Sequence, residues 1–160
     1  MDTNTLKLAL ANQYIAGLKM LRQCIELCPP DLYEEGVHPR TFVRIAYHGA
    51  FYTRWYLTLG EDVDVHIAGA HPKLAWLWGK PAKAPTPTQS DLIAYIDKII
   101  SEVRPNLEVM DLDASYCGFS WYKSTSKLEH QFVNLRHLEG HVGQLSELLM
   151  ARGIYIDWIG

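Results

Sequence analysis

Apolar residues recur every three or four positions in four separate stretches of this chain, a period that matches one side of an α-helix and not the alternation of a strand. In the first stretch Ala11, Tyr14, Ile15, Leu18, Leu21, Ile25 and Cys28 form the stripe, Thr3 or Asn4 can cap its start, and Pro29-Pro30 ends it. The second begins near Pro39 or Thr41, carries Ile45, His48, Tyr52, Trp55 and Leu59, and stops at Gly60. The third opens at Thr88 and sets Leu92, Tyr95, Ile96, Ile99 and Val103 on one side, with Pro105 expected to kink or finish it. The fourth starts at the capping box Ser126-x-x-Glu129 and runs to Arg152, where Gly153 supplies the stop.

Between the second and third stretches, from Glu61 to Pro87, the period fails. Pro72, Gly79, Pro81, Pro85 and Pro87 prevent a long helix there, although HPKLAWLW can make one or two turns. So long a connection in a compact domain calls for a purpose. No alternating strand, internal repeat or low-complexity segment stands out. The pattern therefore predicts an all-α fold, an antiparallel four-helix bundle with long connections between helices two and three and, over Asp111 to Thr125, between helices three and four. A length of 160 residues fits one domain spanning 1–160, with a core large enough to fold without disulfides.

Composition removes several classes of function. The formal charge is −3, and the 15 basic residues are scattered, so no electrostatic footprint for a nucleic acid exists. Lys80 and Lys83, in GKPAKAPTPTQ, read as a solvated loop. No apolar run approaches the ~20 residues that cross a bilayer, so no membrane role is expected. Three cysteines cannot all pair with one another, and no secretory signal precedes Asn12, which together point to a reducing cytoplasm. Cys24 and Cys28, one turn apart near the end of an apolar stripe, read as small core residues.

The chemistry concentrates in LRHLEGHVGQLSELL. His137 and His141 stand one helical turn apart, the geometry with which two imidazoles grip one metal ion. At about 100° per residue, His130, Asn134, His137, His141, Gln144 and Leu148 share a stripe that is expected to face inward, while Glu139 faces outward. Glu139 is third in HLEGH, not directly after the first histidine, so the motif is not that of the zinc proteases and Glu139 is not assigned as a general base. An inward stripe so rich in hydrogen-bonding groups needs an ion, water or a polar network to satisfy it.

His130 lies about 10.5 Å along the axis from His137, too far to share a mononuclear site, and is expected to line a cavity or cap the end of the bundle. His48, among Arg44, Tyr52 and Trp55 on the second helix, is the third ligand that would complete an open shell. Read alone, it is more simply a core histidine bonded to a carbonyl or a tyrosine; beside the HxxxH pair of the fourth helix the ligand reading takes precedence.

The four-helix plan, the second-helix histidine and the pattern His-x-x-x-His-x-Gly-Gln-Leu from His137 to Leu145 resemble the DinB-like (YfiT-like) bundle superfamily over the whole length of the chain. The resemblance implies one divalent ion, zinc or nickel, held by three histidines near one end of the bundle, which by position are His48, His137 and His141. It also implies a metal-dependent hydrolase or an S-transferase that uses a low-molecular-weight thiol, acting on a small-molecule substrate.

Three neutral imidazoles leave a coordination position open, so both chemistries are available. No residue is assigned as catalytic. Gln144, one turn past His141, can orient that imidazole or make an interhelical bond; Tyr52 and Arg44 can meet a substrate oxygen at the cavity mouth. No carboxylate lies on the ligand stripes, which weakens a hydrolase dependent on a protein base and leaves a thiol transferase untouched.

Non-catalytic alternatives are a metal-stabilised ligand-binding bundle and a stress-response interaction protein built on its aromatic loops. Those loops, with His66, His71, Trp76 and Trp78 in one and Cys117 and Trp121 in the other, are expected either to shape a pocket over the bundle end or to meet a second copy. The apolar tail Ile154–Ile159 is expected to pack against the bundle or against the second subunit of a homodimer.

Overall fold

Helices carry most of the chain in the computed structural model, which describes residues 2–37, 39–79 and 84–160. Helix α1 spans Thr3–Glu26 and is capped by Asp2, whose carboxylate accepts from the Thr5 amide at 2.8 Å. The cap thus stands just before the two residues expected for that role, and an aspartate also complements the positive end of the helix dipole. Pro30 does more than end α1. At the first position of a new helix its missing N–H costs nothing, and it opens the short α2, Pro30–Tyr33. A two-residue pairing follows, Gly36–Val37 (β1) antiparallel to Arg40–Thr41 (β2), which the sequence reading did not anticipate.

Helix α3, Phe42–Tyr56, begins after Thr41 and ends four residues short of the expected Gly60, leaving Leu59 62% exposed. In the connection that follows, Pro72–Ala75 makes a single 3₁₀ turn. Helix α4, Gln89–Val109, opens with a reciprocal capping box between Thr88 and Asp91. It runs through Pro105 without ending there, which removes one of the two outcomes expected: Pro105 is exposed in the last turns, where solvent can take the carbonyl that its ring deprives of a donor. Helix α5, Lys127–Met150, starts with the Ser126 hydroxyl accepting from the Glu129 amide at 3.2 Å. Gly153, with φ 73°, turns the chain after the helix.

The core lies where α1 meets α4 and α5 and where α3 meets α5. Tyr14, Leu18 and Leu21 of α1, Phe42 and Tyr47 of α3, Ile96 and Ile99 of α4, and Leu138 and Leu145 of α5 are all fully buried in it. Gly17 lets α1 and α5 approach, since a Cβ there would sit 2.9 Å from the Leu138 side chain. Cys24 and Cys28 are free and buried, and burial pushes both thiols up to about 12, which makes them the inert packing residues expected. A smaller cluster, Tyr56, Cys117 and Phe119, sits under the 111–125 connection.

Polar clamps hold the two long connections in place. Arg54 bonds both oxygens of Glu102 at 2.8 and 2.9 Å and also reaches the Val65 carbonyl at 3.1 Å. The buried ammonium of Lys127 bonds the Leu59 carbonyl at 3.2 Å and the Cys117 carbonyl. Glu61 accepts from the amide and hydroxyl of Ser120, both at 2.9 Å. In the tail, Ile154, Ile156 and Ile159 pack against the core while Tyr155 and Trp158 stay exposed. No helix among the described residues is long and apolar enough to cross a membrane. The loop reading of Lys80 and Lys83 falls outside the described residues.

Candidate metal centre

The histidine pair sits where α5 passes closest to α3. Gly49, directly after His48, makes that approach possible: a Cβ there would lie 3.2 Å from the Cβ of His141. The outcome is convergence. His48 Nε2 lies 2.9 Å from His137 Nε2, which in turn lies 3.1 Å from His141 Nε2. Ligand atoms of the three residues all fall within 4.8 Å of one another. Nitrogens sharing a tetrahedral zinc ion at ~2.05 Å would be separated by ~3.3 Å, so the two distances from His137 Nε2 are close to those of a coordination shell.

Proton bookkeeping identifies what belongs between them. His48 Nδ1 lies 2.6 Å from the Ala75 carbonyl, which only accepts, so this nitrogen carries a proton and Nε2 presents a lone pair. His141 Nδ1 likewise donates to Gln144 Oε1 at 2.9 Å and leaves its own Nε2 bare. Both lone pairs face the Nε2 of His137. One proton on that atom can satisfy only one of them, and with the proton on the buried, unpartnered Nδ1 instead, as ligation through Nε2 also requires, neither is satisfied without a cation. A cation among the three Nε2 atoms accepts every lone pair at once.

Burial pushes the His48 imidazole down to about 3, against the opposing pull of the Ala75 carbonyl, and His137 down to about 4. His141 is lowered too, chiefly by burial. All three are therefore neutral at pH 7, the form that ligates metal. The Ala75 and Gln144 contacts fix ring orientation as outer partners of ligand imidazoles do.

The centre forms the floor of a cavity of about 480 Å³, lined by His48 and His137 together with Tyr52, Trp55, Tyr56, Trp76, Trp78 and Trp121. Both aromatic connections thus shape the pocket. The Tyr52 ring lies 4.6 Å from that of His48 and 5.6 Å from that of His137. No carboxylate and no Lys or Arg lines the cavity among the described residues.

Three expectations need correction. Arg44, expected at the cavity mouth, is 2% exposed, is not part of the cavity lining, and donates to the carbonyls of Lys73 at 3.1 Å and Trp76 at 2.7 Å, bracing the wall. His130 does not line the cavity. It is fully buried behind Tyr56, its ring 4.5 Å from Tyr56, 4.8 Å from Phe119 and 4.9 Å from Tyr122. Asn134 is buried as well and bonds the Thr53 carbonyl at 3.1 Å, tying α5 to α3.

The supposed inward stripe also rotates along the helix, because Leu138, Val142, Leu145 and Leu149 take the core side of its second half. His137 and His141 are left half-buried at the rim, with Gln144 and Leu148 exposed.

Sequence reasoning missed the Ala75 carbonyl, which as backbone has no side-chain signal, and Gly49, whose glycine beside a candidate ligand was the available clue. It also missed Tyr56, eight residues after His48 and about 80° around the helix from it. No family model, curated protein or solved structure matches this chain, so the functional reading rests on the geometry of the centre.

Proposed function

We propose that this chain is a metal-dependent enzyme built on an antiparallel four-helix bundle of the DinB-like (YfiT-like) type, with His48, His137 and His141 holding one zinc or nickel ion. The observation that carries the reading is the set of three neutral imidazoles with Nε2 lone pairs converging on the floor of an open aromatic cavity. When bound, a divalent ion supplies Lewis acidity that lets a thiol or a water lose its proton near neutral pH.

The chain's own residues narrow the reaction. Among the described residues no carboxylate stands in the lining to take a proton from water, and this favours transfer of a low-molecular-weight thiol over base-assisted hydrolysis. The thiol proton leaves through the open mouth to solvent, while the sulfur forms its bond to the acceptor carbon as the leaving group departs. Ala75 and Gln144 keep His48 and His141 in the ligating tautomer, and the aromatic walls hold the acceptor and exclude water from its apolar part.

A second reading has an observation of its own. His48 joins the centre to the 72–75 turn through Ala75, so an ion there would brace α3, α5 and a loop at once and could serve a ligand-binding bundle without turnover. Metal analysis of the purified protein, with thiol-transfer and hydrolysis panels run on metal-loaded and chelated samples, separates the readings. The enzyme reading expects about one ion per chain and thiol-dependent turnover that chelation abolishes. The structural reading expects the same ion, a lower melting temperature on chelation and no turnover. Equal metal content in the wild type and in a His137→Ala, His141→Ala variant would end both.

A further inference from the structure

The walls of the cavity are more uniform than a thiol site requires. Six of its eight lining side chains are indole or phenol rings, contributed by three separate segments, and each segment is held by bonds that do not touch the cavity. On α3, the Trp55 indole donates to the Glu61 carbonyl at 3.2 Å, which fixes the ring plane. Trp76 and Trp78 stack with ring centroids 6.0 Å apart and planes 6° from parallel, on a strand of loop that Arg44 clamps by the Trp76 carbonyl. Trp121 packs 5.2 Å from Trp55 and 5.4 Å from Phe119, beside Ser120, which Glu61 holds. These rings are thus placed before any ligand arrives, although Trp76, Trp78 and Trp121 remain 42%, 55% and 48% exposed. Exposed indoles fixed around a concavity of this size, within the roughly 300–1,000 Å³ of small-molecule sites, are a recognition surface.

From this arrangement we infer that the cavity selects a substrate whose non-reacting part is an uncharged planar π-system, an aromatic or extended conjugated group seated against Trp55, Trp78 and Trp121. The inference rests on the reading of the histidine centre as the reactive floor of a substrate site. No Lys or Arg stands in the lining among the described residues to pair directly with an anionic group on the non-reacting part, which would leave water without a hydrogen-bonding partner. A quaternary ammonium group, the other ligand that aromatic walls favour, meets like charge. Lys73 Nζ already lies 5.6 Å from the Trp76 ring centroid. The ion proposed for the floor would add to that repulsion. Flat neutral rings gain offset or edge contacts with every wall and incur no such cost.

Four of the five tryptophans line the cavity, so their fluorescence reports occupancy directly. The zinc-loaded full chain is titrated with 4-nitroanisole, a neutral planar quencher, and then challenged with anisole, cyclohexylmethanol and choline as competitors. Saturable quenching that anisole reverses, at concentrations at least tenfold below those needed of cyclohexylmethanol or choline, is the expected result. Trp78→Ala and Trp121→Ala should each weaken binding by on the order of tenfold, the scale of one lost ring contact. Trp121→Phe, which keeps a ring and guards against misfolding, should stay within about threefold. Trp158→Ala, on the exposed tail, should bind as the wild type does.

Choline competing as well as anisole would overturn the inference in favour of a cation cage; cyclohexylmethanol doing so would reduce the cavity to a shapeless apolar hollow. Quenching that never saturates would overturn it outright. Zinc content measured on the same samples separates the two claims. Saturable 4-nitroanisole binding without metal uptake supports the ligand class and removes the enzyme reading, whereas metal uptake without saturable binding does the reverse.

Discussion

His130 and His137 lie seven residues apart on one helix, both are sunk among aromatic rings, and burial pushes both imidazoles down to about 4, yet they do different things. What separates them is the opposite wall. His130 faces Tyr56, Phe119 and Tyr122, and neither of its ring nitrogens has a partner. His137 faces His48, with His141 one turn further along its own helix, and its Nε2 lies within 3.1 Å of two other imidazole nitrogens. A depressed pKa marks a buried histidine and says nothing about ligation. Convergence of lone pairs whose outer nitrogens are already committed, to Ala75 and Gln144 here, is the property that distinguishes a metal centre from filling.

The sharpest way to break this contrast is to remove the convergent half. His137→Ala with His141→Ala should abolish stoichiometric metal binding, a loss well beyond the ten- to hundredfold typical of a missing outer partner. Elemental analysis after dialysis reads it, and retained metal would mean that the three nitrogens are not the ligands. Gly49→Ala comes next. The added methyl would sit 3.2 Å from the Cβ of His141, so α3 and α5 must part by a few tenths of an ångström at the centre itself. We expect about tenfold to hundredfold weaker zinc binding in a chelator competition, with the fold kept, by the same reasoning that applies to a misplaced ligand. Gln144→Ala should weaken zinc binding by about tenfold, the low end of that range, since exposed Gln144 has solvent as a substitute. Unchanged affinity would demote Gln144 to a surface contact.

The same contrast explains what the sequence could and could not disclose. Apolar period and capping residues are local signals, so α1, α4 and α5 start within a residue of their expected caps. The HxxxH pair is local too, being two positions on one helix. The partner that turns the pair into a centre is not local, because His48 reaches it only through the packing of α3 on α5; helical rise alone already set His130 apart from the pair, but which rings surround it is decided by the same non-local packing. Arg44 was misread for the same reason: an arginine one turn before a ligand looks like a substrate contact unless the carbonyls of Lys73 and Trp76 are seen to occupy it. Pro105 does not finish α4, because a proline ends a helix only where its lost donor matters, and on the exposed last turns of α4 it does not.

The smallest effect tests the other half of the comparison. If His130 is filling, replacing it by a ring without nitrogens should leave the metal centre intact and relieve two buried unpaired atoms. His130→Phe should then hold zinc as the wild type does and melt higher at pH 7 by about 2–4 °C, the shift expected of roughly 1 kcal/mol in a chain of this size.

The pH dependence sharpens the test. A histidine whose folded pKa is about 4 against an ordinary 6.5 is less protonated folded than unfolded between those values. Its contribution to stability is complete above 6.5 and is lost as pH falls towards 4. In metal-free protein the wild type should therefore lose melting temperature across that window through His130 together with the lowered imidazoles of the centre, His48, His137 and His141, and His130→Phe should lose less, so that its advantage widens from pH 7 to pH 5. Differential scanning calorimetry on both proteins at several pH values reads the difference. An advantage that stays flat, or a variant that loses zinc, would mean that the two histidines are not the independent residues their surroundings make them.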